Sequence, residues 1–268
     1  MDLELWSAGV GALWGAVAGA LVPRAAYRFS VEPDEAWRER CPEGHVITGV
    51  AAGWLGLARC ARCAGSVRTA EAVHGDAGRV VPGRTPASYG PSTLFISLAT
   101  ALVCAGLALT TGTRPELAVW LLLAPLGVLL AVVDFTVQRL PDVLTLPLAA
   151  AALALLGVAA FAPGHAGHWM TALFGALALG GAYFVLFLIS PNGMGFGDVK
   201  LALGLGAVLG WYGWSVVFLG TFAGFLFGGL YGMGLVVVRR AGRKTSIPFG
   251  PFLIAGAYVG LLIGAYAA

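Results

Sequence analysis

Long apolar runs with brief polar breaks fill most of the chain, and one polar stretch interrupts them near the start. The first run, Leu5 to Val22, predicts a helix over 5–23. Gly11, Gly15 and Gly19 recur within it at four-residue spacing, giving one small-residue face for close packing. Residues 24–90 are polar, with nine arginines and seven acids. Their one mildly apolar segment, Ile47 to Leu57, is too short to span a bilayer. Pro82, Gly83, Pro86, Gly90 and Pro91 punctuate the end of the stretch. The runs that follow predict helices over 92–112, 117–134, 143–162, 169–190, 198–211, 214–238 and 248–267. The helix over 198–211 is short, and Gly204, Gly206 and Gly210 blur its boundary with the next. Gly220, Gly224, Gly228 and Gly232 form a second small-residue stripe that predicts helix packing.

Composition identifies the solvent. The 268 residues are 59% hydrophobic and 11% charged, with a mean hydropathy of +0.85. A soluble domain of that balance would have an apolar surface, so the chain reads as an all-α polytopic membrane protein of about eight transmembrane helices. Three parts are expected: a first membrane helix (1–23), a small cytosolic domain (24–91) and a seven-helix domain (92–268). Asp2 and Glu4 precede the first run where a secretory signal would be positive, so that run is expected to be a retained helix. With 24–91 in the cytosol and eight spans alternating, every one of the sixteen Lys and Arg except Arg114 falls on the cytosolic side. Both termini are then non-cytosolic, and Asp134 and Asp198 both lie at the cytosolic membrane edge.

Beyond residue 76 the only acids are Glu116, Asp134, Asp142 and Asp198. Glu116 is expected in a short outer loop beside Arg114, without a function. Asp142 follows Pro141 and suits the start of a helix, where free N–H groups favour an acid. Asp134 could likewise be an interfacial cap and Asp198 could cap a helix, so a lone membrane-edge Asp reads equally as a cap and as a functional acid. Two acids converging on one membrane depth favour function, because carboxyls a few ångströms apart share a proton. One can then activate a water while the other polarises a scissile carbonyl. Gly195, Gly197 and Lys200 are expected to form an active-site loop around Asp198, in which the two glycines permit unusual backbone angles and close approach of a substrate backbone. A phosphate cradle is the competing reading of Gly193, Gly195 and Gly197, but neither a Walker lysine pattern nor a preceding strand accompanies them.

Four cysteines do not make a disulfide framework. Cys104 lies in an apolar run and reads as a small packed residue. Cys41, His45, Cys60 and Cys63 have ligand types and spacings that suit zinc, and reduced thiols without a metal are the alternative. His165 and His168 read as solvated residues of an outer loop. Arg239, Arg240, Arg243 and Lys244 enforce topology or meet acidic lipid headgroups.

Three ordered motifs resemble a known family. Gly195-Phe196-Gly197-Asp198 is similar to the Gly-x-Gly-Asp signature of intramembrane aspartyl proteases, and Val199-Lys200-Leu201 fits the sequence after it. Asp134, followed by Pro141-Asp142, resembles the first-aspartate motif of bacterial type IV prepilin peptidases. Ile247-Pro248-Phe249-Gly250-Pro251-Phe252 resembles the Pro-Phe-Gly-Pro segment at the start of their last helix. The resemblance covers residues 92–268. It implies an eight-helix peptidase of the inner bacterial membrane that removes the basic leader of prepilin or pseudopilin precursors at the cytosolic face. Asp134 and Asp198 carry over as its catalytic dyad. It implies no metal in the peptidase step and no nucleic-acid partner. Many members also methylate the new N-terminus with S-adenosylmethionine. In the first cytosolic loop members often carry two Cys-x-x-Cys pairs; here Cys60-x-x-Cys63 is intact, and Gly44 replaces the second Cys of the pair that begins at Cys41. Two other readings stand beside the peptidase: a transporter using the two aspartates as proton or cation sites, and an inactive pilus or secretion assembly factor.

Overall fold

The structure, a computed structural model, describes residues 2–32, 35–64, 88–191, 193–238 and 247–268. Its described residues form helices α1 (Asp2–Phe29), α2 (Thr93–Thr111), α3 (Glu116–Val137), α4 (Asp142–Ala159), α5 (Trp169–Ile189), α6 (Phe196–Gly210), α7 (Trp214–Val237) and α8 (Gly250–Ala267). A single turn at Val50–Gly53, a helical turn over 61–64 and two isolated β-bridges are the other regular elements among the described residues. Seven of the helices are long and apolar enough to cross a membrane, making this an all-α polytopic membrane protein. The eighth, α6, has only 15 residues.

That short helix is the centre of the bundle. Ten of its residues are buried, and α4, α5, α7 and α8 pack around it. Its glycines explain the close approach. A methyl on Gly206 would collide with the Gly175 carbonyl oxygen and stand 2.9 Å from the Ala176 Cα of α5. The two predicted stripes do the same elsewhere. Gly11, Gly15 and Gly19 meet α2 at Cys104 and Thr100, and Gly220, Gly224 and Gly228 meet α8. In lipid, such packing replaces the hydrophobic effect as the force between helices.

Two expectations are corrected. Helix α1 does not stop at 23 but runs through Pro23 to Phe29. The extension is held by two buried arginines. Arg24 donates to the Tyr89 hydroxyl (3.1 Å), the Leu55 carbonyl (2.8 Å) and the Thr48 carbonyl (3.1 Å). Arg28 donates to the carbonyls of Arg38 (3.0 Å) and Ala52 (2.9 Å), and its guanidinium lies 3.8 Å from the Trp54 ring centre. Glu116, expected in a loop, is the first residue of α3 and is fully buried. It accepts a hydrogen bond from the Ala166 N–H (3.2 Å), while Arg114 turns away to the Ala265 carbonyl (2.8 Å). Cys104 is buried and unbridged, as its apolar run suggests. Arg239, Arg240, Arg243 and Lys244 lie outside the described residues.

Candidate active site

Asp134 sits one turn before the end of α3, where the Gln138 N–H donates to its carbonyl (2.8 Å) and Gln138 closes the helix in the left-handed region (φ 51°). Its side chain meets the start of α8. Phe249 precedes that helix, Gly250 is its first residue, and Pro251 follows in a first turn where the missing N–H costs nothing. The Gly250 N–H, free of any intrahelical partner, donates to Asp134 Oδ2 at 3.0 Å. Gly250, between Pro248 and Pro251 in the chain, therefore supplies the amide on which Asp134 rests.

Asp198 is the third residue of α6. Its Oδ2 accepts from the N–H of Gly195, which precedes the helix, at 3.2 Å. Both acids are nearly inaccessible, at 4% and 7% exposure for Asp134 and Asp198, and they lie within electrostatic reach of each other. Leu140 joins the two halves. It packs against Gly197, where an added Cβ would stand 2.9 Å from its own Cβ, and against Gly250, where the distance to its Cδ1 would be 3.3 Å.

The glycine expectation needs correcting. Gly195 has φ −73° and ψ 145°, ordinary extended backbone, and Gly197 has no positive φ. Gly197 is small because Leu140 presses on it. Nor are Gly197 and Lys200 in a loop: both belong to the first turns of α6. Lys200 reaches Asp142, the first residue of α4 after Pro141, in an ion pair of 2.6 Å, and its ammonium lies 4.8 Å from the Phe196 ring centre. This pair ties the starts of α4 and α6 beside the two acids. Sequence reading missed Tyr183 of α5. Its buried hydroxyl has no partner among the described residues and lies within electrostatic reach of Asp198. A tyrosine inside an otherwise apolar run was the available signal.

The polar stretch carries a second constellation. A tight turn pairs Arg40 with Val46 and brings Cys41 and His45 together, with the Cys41 N–H donating to the His45 carbonyl at 2.8 Å. Cys60 and Cys63 face them. The Nδ1 of His45 lies 3.6 Å from Cys41 Sγ, 3.6 Å from Cys60 Sγ and 3.3 Å from Cys63 Sγ, and the two sulfurs of Cys41 and Cys63 are 3.9 Å apart. A tetrahedral zinc with the usual bond lengths needs edges of about 3.5 Å between N and S and about 3.8 Å between sulfurs. The four residues fit it, with His45 one position beyond the glycine that replaces a cysteine. The Cys63 backbone N–H pulls the Cys60 thiol down to about 7, while burial pushes Cys63 up to about 12. Three thiolates around one zinc leave a net negative charge, and Arg24, Arg59 and Arg62 line the adjoining cavity of about 230 Å³. No carboxylate among the described residues lines that cavity. Its three guanidiniums suit an anionic group such as a carboxylate. His165 and His168 take no part in either constellation; the first is half-buried, its ring centre 5.8 Å from that of Trp211, and the second is exposed.

Residues 120–233 match the model of the type IV leader peptidase family. The chain is similar to a protein of Aeromonas salmonicida called prepilin leader peptidase/N-methyltransferase, 35% identical over 172 residues, which cover 63% of this chain and 57% of that protein. A protein of the same name from Pseudomonas aeruginosa is 34% identical over 183 residues, covering 66% and 60%. One from Burkholderia pseudomallei is 31% identical over 277 residues, covering 93% and 83%. The matched part spans less than two thirds of the length of the first two relatives. No solved structure matches the chain.

Proposed function

We propose that this chain, which belongs to the type IV leader peptidase family, is an intramembrane aspartyl endopeptidase that removes the leader of type IV prepilin-like precursors. The observation that carries the reading is the pairing of two buried carboxyls, Asp134 on the Gly250 amide and Asp198 on the Gly195 amide, within electrostatic reach of each other. Two such carboxyls hold one proton between them. The ionised one takes a proton from a water, whose oxygen attacks the scissile carbonyl carbon. The protonated one gives its proton to the carbonyl oxygen. Collapse of the resulting diol breaks the C–N bond, and the amine leaves with a proton from the dyad. The products are a leader with a new carboxylate and a precursor with a new N-terminus.

The rest of the reading follows the same lines. The chain sits in the inner membrane of a bacterium, both termini away from the cytosol, with 24–91 as the cytosolic domain and 92–268 as the peptidase domain. The distribution of Lys and Arg supports that orientation and puts the dyad at the cytosolic face. Zinc, if bound, would be held by Cys41, His45, Cys60 and Cys63 and would be structural, fixing the cytosolic loop. A second activity, methylation of the new N-terminus, is supported by the relatives' names.

The test is incubation of the purified chain in vesicles with a precursor carrying a basic leader, a glycine and an apolar helix. Mass spectrometry reads the new N-terminus and any mass gain of one methyl. A cut after the glycine is expected; an intact precursor with well-folded protein would overturn the reading.

A further inference from the structure

A cavity of about 400 Å³ runs between α2, α3 and α8 with α6 as its floor, and no charged residue lines it. Its residues are in register with the two acids. On α3 the lining starts at Phe135, beside Asp134, and continues through Gly127 to Trp120. On α6 it takes Leu201, Leu205 and Val208, which lie three, seven and ten residues after Asp198 on the same helix face. On α8 it starts at Pro251, beside Gly250. The three helices that hold the two acids and Gly250, α3, α6 and α8, thus also wall the groove, whose lining at one end begins one residue along the chain from Asp134 and from Gly250. From Phe135 to Trp120 the helical rise gives a length of about 22 Å. Ala124, Gly127 and Ala131 are only half-buried along it, so the groove opens at the surface. An added Cβ at Gly127 would meet nothing closer than the Ile254 Cγ2 at 3.7 Å.

Hydrocarbon must fill such a space, either a lipid chain or an apolar helix. Position decides between them. If Asp134 and Asp198 cut a precursor at the membrane edge, the residues after the cut run into the bilayer from the dyad, where the groove begins. We infer that the α2/α3/α8 groove seats the apolar helix of the precursor, with its first turn at Phe135 and Pro251. The inference rests on the peptidase reading above. Small residues along the groove let the incoming backbone approach closely, which is how helices recognise one another in lipid. The groove then contributes to binding of the full precursor, while chemistry stays with the dyad.

The test uses the full chain in vesicles and two substrates: the full precursor, and a peptide ending a few residues after the cut. Gly127→Leu and Ala124→Leu fill the groove two or more turns from Asp134. The expected result is a rise of about tenfold in KM for the full precursor, with at most a twofold change for the short peptide. Equal losses on both substrates would overturn the inference. A second measurement needs no turnover. A photo-crosslinking residue at position 127 of the Asp198→Asn chain should capture the precursor's apolar segment. Capture of lipid alone would assign the groove to acyl chains and sink the proposal. If wild type cuts neither substrate, the peptidase reading fails, and the crosslink still decides whether the helix docks here.

Discussion

The N–H of Gly250 donates to Asp134 Oδ2 at 3.0 Å, so the first residue of α8 fixes a carboxyl that belongs to α3, 116 residues away in sequence. Any Cβ at position 250 would stand 2.8 Å from that same oxygen. Gly250→Ala is therefore expected to displace the carboxyl and slow cleavage at least about tenfold, or about 1.4 kcal/mol in the barrier. KM for the precursor should change little. Steady-state kinetics on the folded variant checks this, and an unchanged kcat contradicts it.

The Lys200–Asp142 pair is short, but Asp142 is 60% exposed. Screening by solvent limits such a pair to about 1 kcal/mol or less. A double-mutant cycle with Lys200→Gln and Asp142→Asn, read by thermal unfolding in detergent, should return a coupling within that bound. A coupling of several kcal/mol would show that the pair is far drier than the structure has it.

Helices α5 and α6 cross where Gly175 faces Gly206. Gly206→Val would press a branched side chain onto α5 backbone, which cannot yield as a flexible side chain can. Overpacking of this kind costs about 1–3 kcal/mol. A lowered unfolding temperature is the expected result, and wild-type stability would contradict the packing.

Much of this fold was legible in sequence, and the failures have local causes. Apolar runs located all eight helices, and the two glycine stripes marked the faces that pair α1 with α2 and α7 with α8. Spacing alone brought Cys41, His45, Cys60 and Cys63 forward, and the structure gathers all four. The end of α1 was not legible, because Pro23 signals a stop and only Arg24 and Arg28, through partners far along the chain, override it. The burial of Glu116 was hidden in the same way: its neighbour Arg114 looks like its partner, yet the Ala166 amide fills that role. The role of Gly197 depends on Leu140, and no local pattern announces that contact.

The Cys and His constellation makes a prediction that is independent of proteolysis. Purified protein should carry about one zinc per chain by elemental analysis, and Cys63→Ser should lose it. Chelation should lower the unfolding temperature, because metal affinity here is folding free energy. Protein without metal and indifferent to chelators would leave the four residues as reduced thiols.

The central claim is that Asp134 and Asp198 act as one catalytic unit. Asparagine at either position keeps an oxygen to accept its backbone N–H, so the fold should survive. Cleavage rates of Asp134→Asn, Asp198→Asn and the double variant, measured side by side with wild type, test the claim most directly. Groups acting as a unit are not additive. All three variants should fall to the same residual rate. Substantial cleavage by either single variant, or a double variant slower by the product of the two single effects, would contradict the dyad.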